Sequence, residues 1–84
     1  MKIVVENRIP YIQGALEQEA HVVYLPAADI TADAVRDADA LLVRTRTRCD
    51  AALLQGSRVR FIGSATIGTD HIDLAWCRDH GITV

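Results

Sequence analysis

The sequence predicts an α/β fold built on a parallel sheet wrapped by helices. Three observations predict it. Short β-branched runs alternate with helix-like segments along the 84 residues. Residues 40–43, Ala-Leu-Leu-Val, form an uninterrupted apolar run of the kind that a strand buried on both faces needs. The segments between the runs carry helix start and stop residues. At this length there is room for one core and no second domain. A composition of 50% hydrophobic and 24% charged residues is that of a globular chain rather than a disordered one.

The first strand is expected at residues 2–5, where Ile3, Val4 and Val5 follow one another. Pro10 suits the first turn of a helix whose apolar positions Ile12, Ala15 and Leu16 fall on one face. The second strand is expected at residues 21–25. Thr31 can cap a short helix through Ala34, Val35 and Ala38, because its hydroxyl accepts from backbone N–H groups that a first turn leaves without partners. The third strand, residues 40–43, follows. Asp50 caps a helix over 51–55 that Gly56 stops in the left-handed conformation, and the fourth strand is expected at 59–62. Asp70 or Thr69 caps a fourth helix over 72–79 with Ile72, Ala75 and Trp76 on its apolar face, ending at His80-Gly81. Residues 82–84 begin a fifth strand. Five strands with four crossovers in so short a chain favour a flavodoxin-like order, 2-1-3-4-5, with helices on both faces, over a barrel.

The net charge of −2 conceals blocks. The first half is acidic, residues 44–60 carry Arg44, Arg46, Arg48, Arg58 and Arg60 against Asp50 alone, and the remainder is acidic again. Guanidinium forks suit carboxylate and phosphate, so this block marks where an anion can be held. Nucleic acid is disfavoured as that anion, because the chain is acidic overall and Phe61 is the only aromatic residue beside the block. No apolar run approaches the roughly 18 residues that span a bilayer, and the Met1-Lys2-Ile3 opening is unlike a secretory leader. A cytoplasmic protein without membrane partners is the expectation. Cys49 and Cys77 are too far apart for a CxxC pair and too few for a disulfide framework, so reduced thiols are expected.

In open parallel sheets ligands sit beyond the carboxyl ends of the strands, near the point where strand order reverses. That rule selects the loops at 6–9, 44–49 and 63–69. In an extended stretch Arg44, Arg46 and Arg48 would share one side. The stretch Gly63-Ser64-Ala65-Thr66-Ile67-Gly68-Thr69 is small and hydroxyl-rich, so its backbone N–H groups can approach a ligand. Together the last two loops make an anion cradle; the competing reading is a solvated charge stripe beside an ordinary turn. The Gly63 to Gly68 spacing lacks the lysine of a Walker loop and no GxGxxG is present, so these residues are not expected to hold a dinucleotide. Asp73, Cys77 and His80 share a helical face, but a polar stripe facing water is its commoner meaning and no metal is expected. Asp70 and His71, as helix neighbours, cannot face each other as an acid–base dyad.

The motifs Leu42-Val43-Arg44-Thr45-Arg46-Thr47 and Phe61-Ile62-Gly63-Ser64-Ala65-Thr66-Ile67-Gly68-Thr69-Asp70-His71-Ile72-Asp73 resemble the opening domain of the D-2-hydroxyacid dehydrogenases. Members such as phosphoglycerate dehydrogenase typically show a glycine-valine-glycine stretch and Asp-Asn-Ile-Asp at the second motif. The Glu6-Asn7-Arg8-Ile9-Pro10-Tyr11 opening and the Ala75-Trp76 pair instead fit the branch that oxidises 4-phosphoerythronate. The resemblance covers the whole chain.

It implies an NAD-dependent oxidation at the 2-hydroxyl, within pyridoxal phosphate biosynthesis, by a homodimeric full-length enzyme whose N-terminal substrate-binding lid would be residues 1–84. NAD, its glycine-rich loop and the family's catalytic Arg, Glu and His would belong to a later segment, so no catalytic or cofactor-binding residue is assigned here. The 84-residue piece alone is expected to be inactive. Two substrate positions match: Thr45, where the family usually shows serine, and Thr66. Beside them, Arg44 or Arg46 is expected to neutralise the small phosphorylated hydroxy acid, and the Gly68 backbone to orient it. The alternatives are another D-2-hydroxyacid dehydrogenase or a stand-alone flavodoxin-like anion-binding module. A phosphoreceiver is disfavoured, because the third strand ends in Arg44 rather than an aspartate.

Overall fold

A computed structural model describes residues 1–9, 20–65 and 70–84. Strands β1 (Lys2–Glu6), β2 (His21–Leu25), β3 (Ala40–Val43) and β4 (Phe61–Ser64) form one parallel sheet in the order β2-β1-β3-β4. Val4 lies opposite Val23 on one side and Leu41 on the other, and Leu41 lies opposite Ile62. The fifth strand is reduced to a parallel bridge between Phe61 and Thr83, on the outer side of β4 where the order 2-1-3-4-5 puts it. Ile62 N donates to Thr83 O at 2.9 Å and Thr83 N to Arg60 O at 2.8 Å. The helix expected after Pro10, with Ile12, Ala15 and Leu16, lies outside the described residues.

The described helices are short: α1 (Ala32–Val35), α2 (Ala51–Leu54) and α3 (Leu74–Asp79). Their starts are side-chain caps. Thr31 Oγ1 accepts from Ala34 N at 3.3 Å and Asp50 Oδ1 from Leu53 N at 3.3 Å, as the sequence predicts. Gly56, just past α2, has φ 81° and Gly81, past α3, has φ 74°, the left-handed region that a glycine enters without steric cost.

Two boundaries differ from expectation. α3 starts at Leu74 and is capped by Asp73, whose Oδ1 accepts from Trp76 N at 3.0 Å, rather than by Asp70; Thr69 lies outside the described residues. The cause is a parallel bridge between Ile72 and Cys49, which takes residue 72 into strand-like pairing and delays the helix until after residue 73. Ala75 is therefore exposed rather than part of the apolar face. β4 begins two residues later than residue 59, because β3 starts at Ala40 and its first partner is Phe61. Gly63 and Ser64, read from sequence as loop, are in the strand through pairing with Leu42 and Val43. Gly63 suits that place, since a Cβ there would stand 2.6 Å from Leu42 Cδ2.

One cluster joins sheet and helices. Val4, Leu41, Val43 and Ile62 from the strands meet Val35, Leu53, Leu54, Ile72 and Cys77 from the α1–α3 side. Strand alternation sends Ile3 and Val5 to the opposite face, where they too are buried. Leu41, wholly buried at the centre of the cluster, is the sharpest probe of this packing. Leu41→Ala is expected to lower the unfolding free energy by about 2–5 kcal/mol, read from the midpoint of urea denaturation at constant slope.

Candidate functional site

Strand order reverses between β1 and β3. The chain leaves β1 toward β2 on one side and leaves β3 toward β4 on the other, so the loops beyond their carboxyl ends part and leave a crevice. A cavity of about 220 Å³ lies there, lined by Glu6, Arg8, Arg44, Thr45 and Arg46. Glu6 is the last residue of β1, Arg8 lies in the loop after it, and the loop after β3 supplies the rest. Arg44 spans the gap, its Nη1 donating to Arg8 O at 3.0 Å.

Residues 44–47 are a turn, with Thr47 N donating to Arg44 O at 3.3 Å. The extended reading, which aligned Arg44, Arg46 and Arg48 on one side, is corrected by that turn. Arg44 and Arg46 line the crevice, whereas Arg48 turns to Asp50, with Nε 3.5 Å from Oδ2. The arginine block is divided further, because Arg58 and Arg60 lie at the opposite rim, before β4. There Arg58 Nη2 stands 3.4 Å from Asp39 Oδ1. Among the described residues, Arg8, Arg44 and Arg46 have no carboxylate within ion-pair distance.

A second cavity, about 290 Å³, is lined by Thr45, Arg48, Asp70 and His71. Thr45 is exposed and shared by both cavities, so the turn after β3 and the segment after β4 stand at one rim. Thr66 and Gly68 lie outside the described residues. A ladder fixes this proximity: Cys49 N donates to His71 O at 2.8 Å and Asp73 N to Cys49 O at 2.8 Å. His71 is buried, with Nε2 3.1 Å from Ser64 Oγ at the end of β4.

Sequence reasoning assigned no role to Glu6, Arg8 or His71. The available signal for Glu6 was an acid closing an apolar strand at the reversal point, on the side of Val4 by alternation. Glu6 is 3% exposed, and its Oε2 has no hydrogen-bond partner among the described residues. Asp73, Cys77 and His80 do not gather. Asp73 caps α3, Cys77 is in the core rather than on a water-facing stripe, and His80 stacks on Trp76 with ring centroids 3.9 Å apart. Among the described residues no cluster of three or more His, Cys, Asp or Glu could hold a metal, and no helix is long and apolar enough to cross a membrane.

A dinucleotide does not fit the crevice as described. The turn after β1 contains no glycine for close approach of a pyrophosphate, and the buried Glu6 carboxylate at its base would repel one. The fold and the rim thus define a parallel α/β domain with a cationic crevice at the carboxyl ends of its central strands.

Residues 2–84 match the model of the D-isomer specific 2-hydroxyacid dehydrogenase catalytic domain, and the chain belongs to that family. An erythronate-4-phosphate dehydrogenase of Bacteroides fragilis is 61% identical over 84 residues, covering 99% of this chain and 24% of the relative. The chain therefore spans about a quarter of that relative's length. Among solved structures, the NAD+-bound 3-phosphoglycerate dehydrogenase of Entamoeba histolytica is 26% identical with a TM-score of 0.77, covering 98% of this chain and 31% of that one. A Pyrococcus horikoshii protein shares the fold at a TM-score of 0.85 and 21% identity, over 99% of this chain and 27% of its own.

Burial pushes the Cys49 thiol from 9.0 up to about 12, with nearby Cys77 and Asp50 adding to the rise. The folded protein keeps that proton where the unfolded chain loses it, so the group's stabilisation is whole below pH 9.0 and disappears by about pH 12. Unfolding free energy is expected to fall across that window. Cys49→Ala should lack this part of the slope in denaturation measured at successive pH values.

Proposed function

We propose that the chain is the N-terminal substrate-binding domain of a longer, NAD-dependent dehydrogenase that oxidises 4-phosphoerythronate at its 2-hydroxyl, in pyridoxal phosphate biosynthesis. One observation carries the reading: Arg8, Arg44 and Arg46, without carboxylate partners among the described residues, line one crevice with Thr45 at the reversal of the sheet. Such a site suits a small acid with two anionic ends. The identity to erythronate-4-phosphate dehydrogenases narrows that acid to 4-phosphoerythronate.

In this reading Arg44 and Arg46 neutralise the phosphate or carboxylate, Thr45 and Thr66 hydrogen-bond the substrate, and the Gly68 backbone helps orient it. NAD, which would accept the hydride, belongs to residues outside these 84. The domain's own contribution is to position the acid and, as a lid over the cofactor-binding half, to exclude water from the reacting centre. The complete enzyme is proposed to be a cytoplasmic homodimer.

A charge-assisted hydrogen bond is worth about 1.5–3 kcal/mol, equivalent to roughly 10- to 100-fold in binding. Arg44→Ala in the full-length enzyme is accordingly expected to raise KM for 4-phosphoerythronate by about 10-fold or more. Thr45→Val should raise it less. Initial-rate kinetics that match the unaltered enzyme at Arg44→Ala would remove the arginine from the binding site.

A further inference from the structure

We infer that Glu6 is a specificity-determining residue that reads a hydroxyl of the bound acid, one that is not oxidised. The inference rests on the reading of the crevice as the substrate site and adds to it the class of ligand admitted, a polyhydroxylated phosphate or carboxylate rather than any small anion. Three observations support it. Glu6 closes β1 at the point where strand order reverses, and it lines the same crevice as the guanidinium groups of Arg8, Arg44 and Arg46. It is 3% exposed, and Oε2 finds no hydrogen-bond donor among the described residues. Among the described residues none of the three crevice arginines approaches within ion-pair distance, so Glu6 does not serve as their counter-ion.

A buried carboxylate oxygen without a donor is costly to keep, and it lowers the affinity of an arginine site for a bare anion by repulsion. Both penalties are relieved by a ligand that brings its own donor. An ionised carboxylate only accepts hydrogen bonds, which makes an alcohol on the ligand's carbon chain its complement. The arginines select for negative charge, and Glu6 selects against negative charge that comes without a neighbouring hydroxyl. The hydroxyl undergoing oxidation has to face the hydride acceptor, and the crevice offers no dinucleotide cradle. The hydroxyl read by Glu6 is therefore the remaining one.

The test compares 4-phosphoerythronate with its 3-deoxy analogue, 2-hydroxy-4-phosphobutanoate, in the full-length enzyme. The unaltered enzyme is expected to use the analogue with kcat/KM lower by roughly 100-fold or more, since a site built to bond a hydroxyl rejects a ligand lacking it. Glu6→Gln, which keeps the shape, should shrink that ratio by about 10-fold, mainly by raising KM for the hydroxylated substrate. A purely structural role would move both substrates alike, and that outcome would overturn the proposal. So would equal use of the two compounds by the unaltered enzyme, a result that stands even where the Glu6→Gln protein fails to fold. Failure of the underlying reading looks different: Arg44→Ala would then leave KM for both compounds unchanged.

Discussion

The structure depends on β1 having two parallel neighbours. Val4 stands between Val23 of β2 and Leu41 of β3, and that sandwiching reverses the strand order at the centre of the sheet. A chain that must wind outward in both directions cannot close the rim above its central pair of strands, because the two loops depart to opposite sides. The opening at Glu6, Arg8, Arg44 and Arg46 is thus a product of connectivity before it is a product of side chains. What the residues add is charge, in a place where backbone geometry has already made room for it.

The rest of the fold holds this rim in place. Cys49 carries a two-bond ladder to the segment before α3, and His71 within that segment reaches back to Ser64 at the end of β4. The turn after β3 is fastened on the side away from the crevice, while Arg44 and Arg46 extend toward it. At the other rim, Asp39 accepts from the main-chain N–H of Lys2 at 2.8 Å and lies 3.4 Å from Arg58, and Lys2 Nζ stands 2.7 Å from Asp37, so the cationic groups of Lys2 and Arg58 are drawn into structural contacts. A stretch of sequence that looks like one basic block is divided: Arg58 pairs with Asp39 at the amino ends of the strands and Arg48 with Asp50, while Arg44 and Arg46 lie around a cavity at the carboxyl ends.

The strands and their order were legible in the sequence because each rests on a local signal. Ala40–Val43 is apolar throughout, Thr31 and Asp50 sit where a cap is needed, and Gly56 stops α2. The errors arose where a distant partner overrides a local preference. Asp70 has the chemistry of a cap, but the Cys49–Ile72 bridge takes residue 72 out of the helix and passes the role to Asp73. Gly63 and Ser64 have loop character, yet Leu42 and Val43 draw them into the sheet. Arg48 parts from Arg44 and Arg46 because residues 44–47 turn. The choice of rim followed from strand polarity alone. Glu6 escaped notice because an acid after an apolar run ordinarily marks the end of burial, and only the fold reveals an oxygen without a donor among the described residues.

The bond from Arg44 to the carbonyl of Arg8 carries one more implication. A single extended side chain acts as the spacer between the two lips of the opening, and a shorter or unforked cation would set a different gap. The N–H given to that carbonyl is one of five on the guanidinium, so the other donors can meet an incoming anion while the tether stays made. The opening is thus filled at a width that the tether has already set.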